Sequence, residues 1–186
     1  MGADIHVSVE VRDKNGIWKV AKNPLVACDM CESTGEDRRY QICKFCEQKP
    51  NEHAYGIKCL YMDTSIELIY APCYWCKGKK KRRIEFYEGR NYNFFARLAN
   101  VRNHGVEALS DDRGFPPDVT PAVEKMWDWN NGGNTDLHSH GYFTLAELDQ
   151  HKDWKSYDGF FEITTLPLLR KLGAPEDVRF LFCFDN

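Results

Sequence analysis

Two absences frame the reading of this 186-residue chain. No stretch approaches the roughly 20 consecutive apolar residues that a membrane-crossing helix requires, and the N-terminal residues lack the apolar segment of a secretory signal. Both lead us to expect a cytoplasmic protein with no membrane partner. Charge of one sign is also scarce, since 25 lysines and arginines stand against 28 aspartates and glutamates for a formal net charge of −3. That balance excludes the overall basic field of a dedicated nucleic-acid binder and leaves only local patches to consider. The length excludes two large independent domains and suffices for one well-filled core with an elaboration.

Cysteine is abundant and unevenly placed. Seven of the eight cysteines fall between residues 28 and 76, as the pairs Cys28/Cys31, Cys43/Cys46 and Cys73/Cys76 plus Cys59. Thiols stay reduced in the cytosol, and C-x-x-C presents two thiolates to one tetrahedral ion, so the pairs read as zinc knuckles. His53 is the one histidine in the segment, and with the seven cysteines it makes eight ligands, the number two closed tetrahedral sites require. One arrangement sets Cys43, Cys46, His53 and Cys59 around one ion and the outer pairs Cys28/Cys31 and Cys73/Cys76 around another. The rival is a single ribbon of Cys28, Cys31, Cys43 and Cys46. Either way protein fills every position, so the zinc, one ion or two, is structural. It staples about 60 residues that have too few apolar side chains to fold alone. The stretches "CDMCESTG" and "CYWCKGKK" resemble the zinc repeats of DnaJ-type chaperones, in which sequence-distant knuckles share a metal; the resemblance implies the first arrangement. Cys183, in an apolar run, reads as a buried, inert thiol.

Outside that segment the pattern predicts an α+β core with a mainly antiparallel sheet and packed helices. Ile5, Val7, Val9 and Val11 alternate with Asp4, His6, Ser8 and Glu10, the period of a half-buried strand. Asn15-Gly16 predicts a type I′ turn into a partner strand over 17–20. A further strand is expected over 83–87, which makes the Cys-rich segment an excursion between two strands of one sheet. Accordingly we divide the chain into a discontinuous core, 1–22 with 82–186, and a zinc-binding insertion, 23–81. Asn91 is suited to cap a helix carrying Phe94, Phe95, Leu98 and Val101, with Gly105 to end it. Thr120-Pro121 opens a second helix, Thr144 and Glu147 have capping-box spacing for a third, and a last helix is expected over 166–172. The dense apolar run "DVRFLFCFDN" predicts a central strand.

The segments "MGADIH", "EGRNYNFFARLANVRN", "DDRGFPPDVT", "HSHGYFTLAEL" and "LGAPEDVRFLFCFDN" together resemble a family of small proteins encoded in bacteriophage genomes. The resemblance implies a place in the cytoplasm of an infected cell and a role in host takeover or counter-defence. It implies no chemistry, which has to come from the residues.

Asp4 and His6 lie two apart on one strand and share a face. His138, Ser139 and His140 read as a loop before a helix, and Arg90, Asn91, Tyr92, Arg102 and Arg113 sit at element ends or in loops, where sites are usually built. Three chemistries can use such a set. A metal-dependent hydrolase takes Asp4, His6 and one of the loop histidines as ligands, with water in the open position. A metal-free phosphoesterase uses His6 and a second histidine as acid and base; "IHVSV" resembles half of the paired signature of 2H phosphoesterases, and the second half is missing. The third is recognition without turnover: arginines fork onto phosphate, histidines polarise it and aromatic rings hold the base of a nucleotide-like ligand. No complete catalytic set is present, so sequestration of such a ligand ranks first.

The run "KGKKKRR", Lys77 to Arg83, adds six positive charges directly after a knuckle. Clustered cations beside zinc modules grip nucleic acid. The rest of the chain is acidic and no code of stacking aromatics is evident, so we read the run first as a solvated flank that protects a strand edge. Binding of a host protein is the remaining alternative.

Overall fold

The computed structural model describes residues 2–43, 68–111, 113–128 and 137–185, without the side chains of 37–43, 68–71 and 126–128. It is an α+β fold with antiparallel sheets and a Cys-rich insertion. The chain forms two compact units, residues 1–24 with 85–186 and residues 25–84. Among the described residues no helix is long and apolar enough to cross a membrane.

The first unit is built on an antiparallel sheet of β1 (Asp4–Arg12), β2 (Trp18–Val20), β7 (His138–Thr144) and β8 (Val178–Asp185), in the order β2-β1-β8-β7. The apolar C-terminal run is central, as its composition predicts. Val178, Phe180, Phe182 and Phe184 face the main core with Val9 and, from the helices, Phe94, Phe95, Trp154 and Phe161. On the other face Leu181 and Cys183 pack under Val123 of α2 (Pro121–Asp128), with Phe115, Val119 and Tyr142. Cys183 is fully buried, and burial pushes its thiol up to about 12, so it stays protonated and inert.

Local signals that need no partner element hold. Asn91 caps α1 (Tyr92–Ala99), its side chain accepting from the N–H groups of Asn93 and Phe94. Thr144 and Glu147 close the reciprocal capping box of α3 (Leu145–Asp149). Other expectations fail, at the first turn through a local bond and elsewhere through tertiary partners. β1 is not half-buried: Ser8 and Glu10, on its polar face, are 7% and 0% exposed. The Asn15-Gly16 turn is not type I′, because only Gly16 takes a positive φ, 80°. The Oδ1 of Asp13 accepts from the N–H groups of Asn15 and Ile17 at 2.8 and 3.1 Å, holding a type I turn that Gly16 closes as a bulge.

Residues 84–87 form no strand. Phe86 and Tyr87 are both buried, which a strand's alternation does not give at one face; instead the Thr165 hydroxyl donates to the Phe86 carbonyl at 2.6 Å and the Tyr87 hydroxyl to Asp158 at 2.7 Å. The insertion therefore leads into α1 and not into a second strand of the same sheet. α1 ends at Ala99 with Asn100 left-handed (φ 58°), five residues before Gly105. Arg97, in the middle of α1, is 8% exposed: its Nη1 donates to the Glu107 carbonyl at 2.6 Å and its guanidinium lies over the Tyr157 ring. The last helical stretch follows α4 (Trp154–Tyr157), starting as a π-helical turn over Phe161–Thr165 and ending with α5 (Leu166–Leu169). Pro167 has no N–H for an i→i−4 bond, and the chain takes the wider turn before it.

"HSHG" belongs to β7 and not to a loop. A bulge between His138 and Gly141 sets two residues against one of β8, with Ser139 at φ 51°. Gly141 is required there: a Cβ on it would meet the fully buried Phe182 ring at 2.5 Å. Gly141→Ala is expected to cost about 1–3 kcal/mol by overpacking, read as a lower urea midpoint with an unchanged slope; an unchanged midpoint contradicts the packing.

Candidate metal centre

Among its described residues the second unit has two short ladders, β3 (Leu25–Ala27) with β6 (Lys81–Arg83) and β4 (Glu36–Cys43) with β5 (Leu68–Pro72). Their registers explain why sulfurs 45 residues apart in sequence meet. Ala27 pairs with Lys81, and the Cys28 N–H donates to the Lys80 carbonyl at 2.9 Å. Glu36 pairs with Pro72, and the Cys73 N–H donates to the Gly35 carbonyl at 2.9 Å. Each ladder thus delivers one knuckle next to the other. The knuckles repeat one local design: the residue after the second cysteine is left-handed in both, Glu32 at φ 49° and Lys77 at φ 50°. They touch at glycine, since a Cβ on Gly35 would strike the Gly78 carbonyl oxygen at 2.7 Å.

The result is a group of four thiols, Cys28, Cys31, Cys73 and Cys76, with every sulfur within 4.8 Å of the others. Cys28 Sγ is 3.9 Å from Cys73 Sγ and Cys31 Sγ is 3.7 Å from Cys76 Sγ. These are not disulfide distances, and the cysteines are free. They match the edge of about 3.8 Å that follows from 2.3 Å metal–sulfur bonds directed to the corners of a tetrahedron. All four side chains are buried. Burial pushes the Cys28 thiol up to about 12, and the hydrogen bonds of Cys31, Cys73 and Cys76 add to the rise. For Cys31 burial also works upward, but the Gly35 N–H aimed at its sulfur and the bonds from the other cysteines outweigh it and bring it down to about 7. The Cys31 thiolate forms readily, and Cys28 needs a cation to hold its charge. Four protein sulfurs leave no open coordination position, so the centre can hold an ion and perform no chemistry on a substrate.

The ribbon of Cys28, Cys31, Cys43 and Cys46 is overturned: Cys73 and Cys76 complete the set because the two ladders bring them there. Cys46, His53 and Cys59, together with the side chain of Cys43, lie outside the described residues.

The polar residues of the first unit do not form one site. Asp4, His6 and Arg90 meet at an end of the sheet, joined by Asp185, which the sequence reading missed. Arg90 Nη2 donates to Asp4 Oδ2 at 2.9 Å, the Asp4 N–H to Asp185 Oδ1 at 3.1 Å, and His6 Nε2 lies 3.0 Å from Asp185 Oδ2. Burial works to raise the Asp185 carboxyl, but His6 and the Asp4 N–H outweigh it and hold it low. All four side chains are well solvated, which is the setting of a weak surface ion-pair group. The signal for Asp185 was the strand pairing Asp4↔Asp185, which no local pattern carries.

The remaining candidates stand elsewhere. His138 pairs with Phe184 and His6 with Cys183, which are residues of opposite sheet faces. His140 packs its ring on Phe115 at 4.6 Å, on the far side of β8 from His6. β8 runs between the strands that carry them, and among the described residues His6, His138 and His140 form with Asp4 no group arranged to share an ion. Ser139 holds His138 Nδ1 at 2.9 Å. Arg113 is paired with Glu147 at 2.8 Å and lies over Tyr142 at 4.2 Å. Arg102 follows α1 in a left-handed residue, and Asn91 and Tyr92 are engaged in the start of that helix, Tyr92 against Phe95. Among the described residues the four cysteines are the one group of His, Cys, Asp or Glu arranged to share an ion.

The second knuckle carries two residues that the sequence reading also missed. Tyr74 and Trp75, between Cys73 and Cys76, are 78% and 54% exposed. The signal was in the sequence, two rings in the intervening positions of a C-x-x-C pair beside a cationic run. No protein-family model, curated protein or solved structure matches the chain.

Proposed function

We propose that this is a zinc-stapled nucleic-acid-binding protein in which residues 25–84 grip the phosphate backbone. The observation that carries the reading is the basic strap that leaves the second knuckle. Lys77, Lys79, Lys80 and Lys81 are exposed and make no side-chain ion pair among the described residues, while Arg82 is taken by Asp29 at 2.9 Å. Zinc is the ion whose coordination suits a closed set of four thiolates used only for folding. Charge is divided accordingly: residues 25–84 hold eleven lysines and arginines against eight carboxylates, and the rest of the chain fourteen against twenty. The acidic remainder keeps the polyanion on the zinc unit.

The phosphate-bearing ligand expected from the sequence is thereby assigned to a polymer on the zinc unit. A nucleotide pocket in the first unit loses its support because Arg90, Arg102 and Arg113 are held at three separate places. A catalytic role loses it because the histidines are separated by β8. For a chain resembling phage-encoded proteins, host nucleic acid is the corresponding target.

The test is equilibrium binding of the zinc-loaded full chain to labelled oligonucleotides across a salt series. Four lysine contacts give a slope of log K against log salt of about −3 to −4. Replacing Lys79, Lys80 and Lys81 together by Glu is expected to reduce affinity at least about 100-fold and to flatten that slope. Absence of binding at about 50 mM salt, where phosphate contacts are strongest, sinks the reading.

A further inference from the structure

We infer that the nucleic acid taken by this unit is single-stranded, with unpaired bases stacked on Tyr74 and Trp75; the inference rests on the reading above. Both rings are largely in water, 78% and 54% exposed, although the other large aromatic side chains among the described residues are mostly buried. Their backbone is not free to fold them away. Cys73 and Cys76, on either side, are 2% and 3% exposed in the thiol group, and the Lys77 N–H donates back to the Cys73 carbonyl. A bound ion therefore holds the two rings out on a rigid turn, and little conformational entropy is lost when they are covered.

The two knuckles differ at these positions. The first carries Asp29 and Met30, with Asp29 committed to Arg82, so only the second offers two rings. Tyr74 and Trp75 stand nearly perpendicular, centroids 5.7 Å apart at 84°. They cannot extend one continuous stack, and each offers its own face to a splayed base. The four exposed lysines continue the same chain segment, within six residues of Trp75. Flat apolar faces beside exposed cations are complementary to a strand with accessible bases and a phosphate backbone. A duplex keeps its base faces inside the stack and presents only phosphates and groove edges. A second copy of this surface would bring like charges together, which disfavours self-association as the cover for the rings.

Zinc-loaded full chain is titrated against 12-nucleotide oligothymidylate, oligouridylate and a duplex of equal length, with Trp fluorescence and anisotropy as readouts. Both single strands are expected to bind at least about tenfold more tightly than the duplex. Trp75→Ala is expected to lower single-strand affinity by about 5- to 150-fold while leaving the salt slope and the weaker duplex binding unchanged. Tyr74→Ala has the same direction, and Trp75→Phe retains most of the binding. Metal content and melting of each variant establish that the knuckle is intact. Equal affinity for duplex and single strands, or alanine variants that bind as the parent does, overturns the inference and leaves the nucleic-acid reading standing. Loss of all salt-dependent binding removes both. Variants that change the association state and not oligonucleotide affinity assign the rings to a second copy and overturn the inference as well.

Discussion

Removing one thiolate, as in Cys73→Ser, is expected to unfold residues 25–84 and abolish metal binding while the first unit keeps its fold. Among the described residues the buried apolar cluster of the second unit is the four cysteines themselves. The two ladders around them are two-stranded, and such ladders are marginal in water without packing. Metal binding is then the folding free energy of this unit. A chelator should reproduce the variant, with new proteolytic cleavage confined to residues 25–84 and loss of oligonucleotide binding. The four ligands must bind as thiolates, yet burial holds the Cys28 thiol at about 12 in the metal-free state. Protons are therefore released on metal uptake, and apparent affinity falls as pH is lowered, by about tenfold per pH unit for each thiol still protonated. Protease resistance of residues 25–84 that survives complete removal of metal would falsify this account.

Arg179→Ala is expected to destabilise the first unit by about 3–5 kcal/mol, a value characteristic of one partner removed from a buried ion pair. Glu10 is 0% exposed, and its Oε2 takes Arg179 Nε at 2.6 Å while its Oε1 accepts the Thr120 N–H at 2.9 Å. Arg179 in turn donates to the side chain and carbonyl of Asp118 at 2.6 and 2.9 Å and lies over the Trp18 ring at 4.0 Å. One guanidinium thus ties β1, β2, β8 and the segment entering α2. Its loss leaves the Glu10 carboxylate buried beside a single N–H, and that desolvation dominates the effect. The paired replacement Glu10→Leu with Arg179→Met should recover much of the stability, because it removes both charges and keeps the volume. Chemical denaturation of the single and double variants measures this, and a single variant within about 1 kcal/mol of the parent contradicts a buried pair.

Parts of this architecture were legible along the chain, and each rests on short-range physics. The cap at Asn91 and the box at Thr144–Glu147 satisfy backbone N–H groups within three residues, so the residues that make them are neighbours in sequence. The apolar density of 178–184 requires cover on both faces and so a central strand. The C-x-x-C spacing puts two sulfurs on one ion whatever surrounds them. Arg97, Glu10 and Asp185 were not legible, because their partners Glu107, Arg179 and His6 are supplied by other elements. The histidines show the same limit: the bulge in β7 sets His138 on the face opposite to His6, and a bulge is fixed by pairing with β8 and by the space Phe182 leaves at Gly141.

By itself the sequence determined the ligand chemistry, the separate Cys-rich insertion, the starts of α1, α2 and α3 and the central strand, since periodicity, caps and ligand spacing act within a few residues. Only the tertiary structure decided which knuckles share four sulfurs, which polar side chains are solvated and which two rings stand exposed. Those properties depend on strand registers between residues 25 to 181 positions apart, and a register is chosen by the whole set of side chains that it buries.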